Sequence, residues 1–299
     1  MKLGLGTVQF GLDYGISNYQ GKTSLNEAAN ILQVAKSSGI NLLDTASLYG
    51  DSEAVIGQAM HGQTFQVVTK TPQFKTPQIK KEHAAQLKQA FNNSINKLHV
   101  NSVYGLLMHQ AEDLLADGGE YLMEALIEIK EIGGTQKIGV SVYNQEQIER
   151  VLNRYQIDLI QLPLNVFDQS LAINGCLKEL KKNNVEIHVR SIFLQGLLLT
   201  EVDKTRQYFN KFEPQIKQYQ SVLDDYGLSL LQGALAYIKS IHEVDYAIVG
   251  VSSSRELVEI TNAVDTLPNE FPNFDNFYSN DQRLVNPLVW LAEGVRDTQ

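Results

Sequence analysis

A closed (β/α)8 barrel is the fold class this sequence predicts, and three observations predict it. Eight short apolar runs have strand character, and a segment of helical period follows most of them. Strands that alternate with helices build a parallel sheet. The chain has 299 residues with no low-complexity stretch or Pro/Gly-rich linker, a length that suits an α/β barrel in one domain. A single domain over 1–299 is therefore expected, with 266–299 as a tail over the barrel mouth.

The strand-like runs are "LGLGT" (3–7), "INLLDTA" (40–46), "QVVTK" (66–70), "VYGLLMH" (103–109), "KIGVSV" (137–142), "DLIQLP" (158–163), "EIHVRSIF" (186–193) and "DYAIVG" (245–250). The first helical segment, 24–38, sets Leu25, Ala28, Ala29, Ile31, Leu32 and Ala35 on one face. Further segments of this period cover 78–98, 119–132, 144–155, 170–182 and 253–264, and an acidic helix start follows Gly50. Gly39, Gly133 and Gly227 stand where helix C-caps belong. An open doubly wound sheet is the alternative topology, and it wants a G-x-G-x-x-G turn opening a helix. Here Gly4 and Gly6 are followed by Gln9, and no helix is expected to open there.

Composition excludes several function classes. The net charge is −9, from 25 basic and 34 acidic residues, with no basic block. Nucleic acid and anionic membrane surfaces are therefore not expected partners. No apolar run approaches the roughly 18 residues of a spanning helix. The opening "MKLGLGTVQFG" is too short and glycine-rich for a signal peptide. Cys176 is the single cysteine, which excludes an internal disulfide and suggests a reducing compartment, the cytoplasm. No Cys/His cluster has ligand spacing, so no metal is expected.

Chemistry in a barrel of this kind gathers at the C-terminal strand ends. The second run ends in Asp44, the third in Lys70 and the fourth in His109. The fifth ends near Ser141, the sixth at Gln161, and the seventh at Arg190 and Ser191, while Tyr49 lies just past the second. Each has an ordinary structural role when taken alone. Asp44 followed by Thr45 is a turn or cap residue, Tyr49 a wall aromatic, Lys70 a solvated strand end, and His109 a satisfied core histidine. Together they resist that account. An apolar barrel mouth has no structural reason to bury an acid, a phenol, an ammonium and an imidazole.

A phenol surrenders its proton reluctantly near neutral pH. A buried ammonium beside it favours the phenolate. Lys70 supplies that charge and Asp44 holds it in place. His109 donates a hydrogen bond to a carbonyl oxygen and sets its direction. The set is a proton donor aimed at a carbonyl. Hydride is the other half of such a reduction and no side chain provides it, so a nicotinamide is implied.

The order Asp44, Tyr49, Lys70, His109 resembles the tetrad of the aldo-keto reductase family. "LDTASLYGDSEAVIG" is similar to that family's "DTA..YG.SE..iG" segment. "GLGTVQFG" resembles its first strand, "KIGVSVYN" its "iGvSN", "DLIQLPLNVFDQ" its "Q..yN", "VRSIFLQGLL" its "ysPL..GlL", and "AIVGVSSSRELVEI" its last-strand segment. The likeness covers 3 to 265. It implies a (β/α)8 barrel that reduces an aldehyde or ketone, possible sugar-derived ones included, to an alcohol, using a nicotinamide dinucleotide and no metal. Tyr49 would be the general acid, tuned by Lys70 and Asp44, and His109 would orient the carbonyl. Ser141, Gln161 and Asn165 would bind the nicotinamide carboxamide, with Thr7 and Asp44 beside them. Ser191, Phe193 and the "FLQG" turn through Gly196 would wrap the pyrophosphate. Gly250, Ser252, Ser254 and Arg255 would meet the adenosine phosphate, and Glu259 the adenine. NADP(H) is expected over NAD(H), because a phosphate finds donors among Ser252, Ser253, Ser254 and Arg255.

Three departures from the family pattern concern the cofactor. Val142 replaces the usual Asn, and Arg190 stands where an aromatic usually stacks on the nicotinamide. The last loop has Arg255 alone in place of a stronger cationic site, and Ile260 follows Glu259 in place of Asn. A guanidinium also stacks on rings, so Arg190 suits either that role or pairing with an anionic substrate. Two rival functions stand beside reduction: a Schiff-base aldolase using Lys70, and a nicotinamide-binding sensor or accessory subunit with little turnover. Substrate choice is expected to lie in the loops 10–22, 110–118 and 194–212 and in the tail, whose Phe271, Phe274, Phe277, Tyr278, Arg283 and Trp290 would supply aromatic walls.

Overall fold

The computed structural model describes residues 1–15, 18, 21–205 and 207–295. Residues 16, 17, 19 and 20 of the loop 10–22, residue 206 of the loop 194–212, and residues 296–299 of the tail lie outside the described residues. Eight strands run β1 (Lys2–Gly6), β2 (Leu42–Asp44), β3 (Gln66–Lys70), β4 (Val103–Met108), β5 (Thr135–Ser141), β6 (Leu159–Pro163), β7 (Glu186–Arg190) and β8 (Tyr246–Gly250). Each pairs in parallel with the next, and β8 closes on β1 from Lys2↔Tyr246 to Gly6↔Gly250. The expected (β/α)8 barrel is therefore the observed fold.

Leu42, Val68, Leu107, Leu159 and Ile248 fill the barrel, with Tyr104 and Tyr246 packed against them. The glycines of β1 serve this packing. A Cβ on Gly4 would come within 2.6 Å of Ile248 Cδ1 and 2.8 Å of Leu42 Cδ2. At the other end of the interior, Glu186 accepts from Tyr104 and His188.

The helices form the outer layer. Ser24 caps the helix Leu25–Ser37 by accepting from the Glu27 N–H, and Ala28, Ile31, Leu32 and Ala35 face inward. Leu25, expected on that face, is exposed, because the first residue after the cap points away from the barrel. Gly39, Gly133 and Gly227 adopt the left-handed conformation after the helices they end, as expected, with φ of 76°, 78° and 65°.

Four boundaries differ from expectation. β7 stops at Arg190 and not at 193, because Ser191 turns left-handed at φ 60°. The segment 170–182 is two helices, Ser170–Ile173 and Cys176–Lys182, broken at Gly175 with φ 78°. A one-turn helix, Val8–Gly11, does open after β1. The crossover from β7 to β8 carries helices Glu213–Asp225 and Leu230–Ser240 that hydrophobic period did not single out. The second has a readable start, since Ser229 and Gln232 cap each other reciprocally.

The tail packs beside the loops that follow β6 and β7. Ser279 N–H donates to Phe167 O at 2.8 Å, and Gln169 Nε2 donates to Phe274 O at 2.7 Å. Trp290 stacks edge-on against Phe209, and Phe277 against Tyr219. Phe274, Phe277 and Trp290 are thus buried in packing and are not exposed walls. Among the described residues no helix is long and apolar enough to cross a membrane.

Candidate active site

β2 and β3 deliver Asp44 and Lys70 to one point at the strand ends. Lys70 is 1% exposed, and its Nζ donates to Asp44 Oδ1 at 2.7 Å, to Asp44 Oδ2 at 2.8 Å and to Thr45 O at 3.0 Å. All three ammonium donors therefore have acceptors. Burial pushes the Lys70 pKa down, but the Asp44 carboxylate and the Tyr49 phenol push it up further, and it ends above its ordinary value. Lys70 is a fixed cation.

Tyr49 sits in the turn after β2, half-buried, with Lys70 Nζ 5.1 Å from its ring centroid. That turn is braced by the loop after β1. Gly50 has φ 58°, and a Cβ on Gly11 would lie 1.7 Å from Tyr49 O. Only glycine at position 11 lets the two backbones approach so closely. The positive φ of Gly50 turns the chain directly after Tyr49.

His109 follows β4, its ring edge-on to Tyr49 with centroids 5.8 Å apart. Its backbone N–H donates to Thr71 Oγ1 at 3.2 Å, and its Nδ1 is buried without a partner. Burial, then the Lys70 charge, lowers its pKa to about 4. The imidazole is neutral at ordinary pH.

Gln161 of β6 donates from Nε2 to Asp44 Oδ1 at 2.7 Å, while its Oε1 is buried without a partner. Ser141, its register partner on β5, is also buried. A buried acceptor held rigidly by a carboxylate fits the amide N–H of a nicotinamide carboxamide. The residues present therefore fit the dinucleotide that the tetrad chemistry requires.

Other expected site residues act as braces. Thr7 is fully buried, and its hydroxyl donates to Asp44 O at 2.9 Å, tying β1 to the end of β2. Asn165 Oδ1 accepts from the N–H groups of Phe167 and Asp168, and its Nδ2 donates to Ser191 O at 3.3 Å. It shapes the next loop. There Ser191, Leu194, Gln195 and Gly196 all have positive φ, and Phe193 packs half-buried on the core. Alternation of right- and left-handed residues, as at Phe193 and Leu194, is the backbone form that turns N–H groups toward an anion.

Arg190 stacks on a neighbour. Its guanidinium carbon lies 4.4 Å from the Tyr143 ring centroid, and Nη2 donates to Val142 O at 3.3 Å. Tyr14 adds a phenol whose oxygen accepts from Gln195 at 3.3 Å. Tyr14 and Tyr143 were not singled out from sequence, because lone aromatics in loops give no periodic signal.

At the end of β8, a Cβ on Gly250 would meet the Gln9 amide at 2.8 Å. Ser253 caps the helix Ser254–Asp265. The Ser252 N–H donates to Glu256 at 2.8 Å and the Ser254 N–H to Glu27 at 2.6 Å. Arg255 pairs with Glu259 at 3.0 Å along the same helix, with its side chain exposed.

Residues 2–273 match the profile of the Aldo/keto reductase family. The chain belongs to this family. It is 25% identical over 313 residues to Aldo-keto reductase YhdN of Bacillus subtilis (strain 168), covering 96% of this chain and 89% of that protein. It is 23% identical over 254 residues to the uncharacterized oxidoreductase YqkF of the same organism, covering 79% and 82%. The holo form of aldo-keto reductase AKR11C1 from Bacillus halodurans superposes with TM-score 0.75 at 21% identity, over 94% of this chain and 95% of that one. The glycerol dehydrogenase AKR11B4 from Gluconobacter oxydans superposes with TM-score 0.70 at 18% identity, over 99% and 93%. As an aldo-keto reductase the chain is an oxidoreductase of carbonyl chemistry on a nicotinamide cofactor, and no metal-binding cluster occurs among the described residues.

Proposed function

We propose that this aldo-keto reductase interconverts an aldehyde or ketone with its alcohol, using Tyr49 as the proton donor. One observation carries the reading: Lys70, fixed by both oxygens of Asp44, lies beneath the Tyr49 ring, with the neutral His109 edge-on to that ring. When bound, the nicotinamide supplies the hydride. Tyr49 gives its hydroxyl proton to the carbonyl oxygen as charge develops there. The Lys70 ammonium stabilises the phenolate left behind, through field and not through proton transfer. Asp44 keeps that ammonium charged and still. His109 donates one hydrogen bond to the carbonyl oxygen and directs it toward Tyr49.

Ser141 and Gln161 would hold the carboxamide, with Thr7 and Asn165 acting through the loops they brace. Arg190 and the turn Ser191–Gly196 would lie along the dinucleotide, and Gly250, Ser252, Ser254, Arg255 and Glu259 at its far end. A cytoplasmic location goes with this reading, supported by Cys176 being the only cysteine.

A Schiff-base aldolase needs a neutral amine, and Lys70 instead has a raised pKa and all three donors engaged. The test is a panel of aldehydes and ketones, sugar-derived ones included, read as loss of reduced-cofactor absorbance. Cofactor binding without turnover on any substrate would favour a sensor, and absence of binding would end the reading.

A further inference from the structure

The loop after β8 is furnished with acceptors. Glu27, on the first helix of the barrel, reaches the Ser254 N–H with Oε1 at 2.6 Å, and its Oε2 accepts from Asn30 at 3.0 Å. Glu256 takes the Ser252 N–H at 2.8 Å. Gln9 is 9% exposed, its amide lies against Gly250, and its Oε1 is buried without a partner. Arg255, the cation of this loop, is committed to Glu259 on an exposed helix face. The Ser254 N–H, then Asn30, holds the Glu27 carboxyl below the usual carboxylate range, so the group is an anion throughout the working pH range.

Two carboxylates and an unpaired amide oxygen give this loop an acceptor character. A ribose 2′-hydroxyl is a donor. A 2′-phosphate is an acceptor with about −1.5 to −2 of charge. A carboxylate beside the ribose is the general device by which proteins select NAD(H), and an arginine there the device for NADP(H). We infer that Glu27 sets cofactor choice in this chain, holding the Ser254 N–H that a 2′-phosphate would need and turning the enzyme toward NAD(H). The inference rests on the dinucleotide reading above and reverses the preference that the serines and Arg255 suggest in the sequence. Glu27 is invisible to that argument because it lies far from the loop in the chain and reaches it only in the fold.

The test is direct binding, with no substrate present. NADH and NADPH are titrated into the full chain and followed by the fluorescence of the reduced nicotinamide. NADH is expected to bind about tenfold or more tightly than NADPH, equivalent to at least one carboxylate–phosphate repulsion. Glu27→Gln keeps the length of the side chain and an oxygen that accepts from Ser254 and Asn30. It should improve NADPH binding by about tenfold and change NADH binding little. Added salt should narrow the gap in the parent and leave it unchanged in the variant, because only the former contains the repulsion. NADPH binding as tightly as NADH in the parent overturns the inference, even if the variant fails to fold. So does a folded Glu27→Gln whose ratio matches the parent. Binding of neither nucleotide is a different outcome: it removes the dinucleotide reading itself.

Discussion

Asp44 accepts from Lys70 with both carboxylate oxygens, at 2.7 and 2.8 Å, and Gln161 donates to one of the same oxygens at 2.7 Å. Both partners of the ion pair are almost fully buried. A buried pair contributes little net stability against a well-packed apolar substitute, but removing one partner strands the other. Asp44→Asn should therefore destabilise the protein by about 3–5 kcal/mol, measured by urea unfolding. Lys70→Met strands the carboxylate in the same way and should cost a comparable amount. Equal stability of Asp44→Asn and the parent would mean that the ammonium finds its counter-charge elsewhere.

Tyr49→Phe removes one hydroxyl and nothing from the packing beneath it. Reduction should fall by about 10²–10⁴-fold, the usual worth of a positioned general acid. Dinucleotide affinity should stay near the parent value, because no residue proposed to hold the cofactor depends on that oxygen. Stopped-flow rates with saturating cofactor check both halves. Parental turnover in the variant would place the acid elsewhere, and Tyr14, on the same side of the mouth, would be the next residue to change.

The strand ends were legible because a parallel barrel maps sequence order onto position around a ring. Asp44, Lys70, His109 and Ser141 each end or follow a strand, and Gln161 lies two residues before the end of β6, so reading eight short runs locates them on the ring. Thr7 shows the limit. Its hydroxyl belongs to the Asp44 carbonyl, and a partner 37 residues away leaves no local pattern. The aromatic tail was misjudged for the same reason: Phe277 and Trp290 look like walls in sequence, and only the fold sets them against Tyr219 and Phe209. The missed helix Leu230–Ser240 holds an unbroken buried run from Gly233 to Ile238, which periodicity alone does not separate from a strand.

The lowered pKa of His109 has a consequence for stability. Its folded pKa is about 4 against 6.5 for the free side chain, so the unfolded chain binds the proton more readily between those values. This contribution is fully present above the unfolded value, declines as pH falls through that window, and is lost below the folded value. From about pH 7 to about pH 5 the parent should lose on the order of 2 kcal/mol through this group. His109→Asn should flatten that part of the profile, measured as melting temperature against pH. An unchanged slope in the variant would assign the pH dependence to other groups.

Gly11 tests the brace under Tyr49. A Cβ there would lie 1.7 Å from Tyr49 O and 2.6 Å from Ser52 N, both backbone atoms that cannot rotate away. Gly11→Ala should cost about 1–3 kcal/mol of overpacking and push the Tyr49 turn outward. Activity should fall more than stability suggests, since the phenol then loses its place over Lys70. Calorimetry together with kcat at saturating substrate separates the two effects. A variant with parental kcat would show that the turn tolerates the shift.

Arg190 decides how the mouth treats substrate charge. One face of its guanidinium lies on Tyr143 at 4.4 Å and Nη2 is tied to Val142 O, which leaves the opposite face for a second ring. Planar cations stack in this way. Stacking on the nicotinamide predicts that Arg190→Tyr keeps kcat/KM on neutral and anionic carbonyls alike, while Arg190→Ala weakens dinucleotide binding. Pairing with an acidic substrate predicts instead a selective loss of about 1.5–3 kcal/mol for carboxylate- or phosphate-bearing substrates in both variants. Stacking is the expected outcome, because the guanidinium is already held flat by Tyr143 and is not directed at an anion. A matched pair of substrates, one neutral and one carrying a carboxylate at the same chain length, measures the difference. An Arg190→Tyr variant that loses about a hundredfold on the acidic member alone, within the range for one charged hydrogen bond, would reassign Arg190 to substrate recognition.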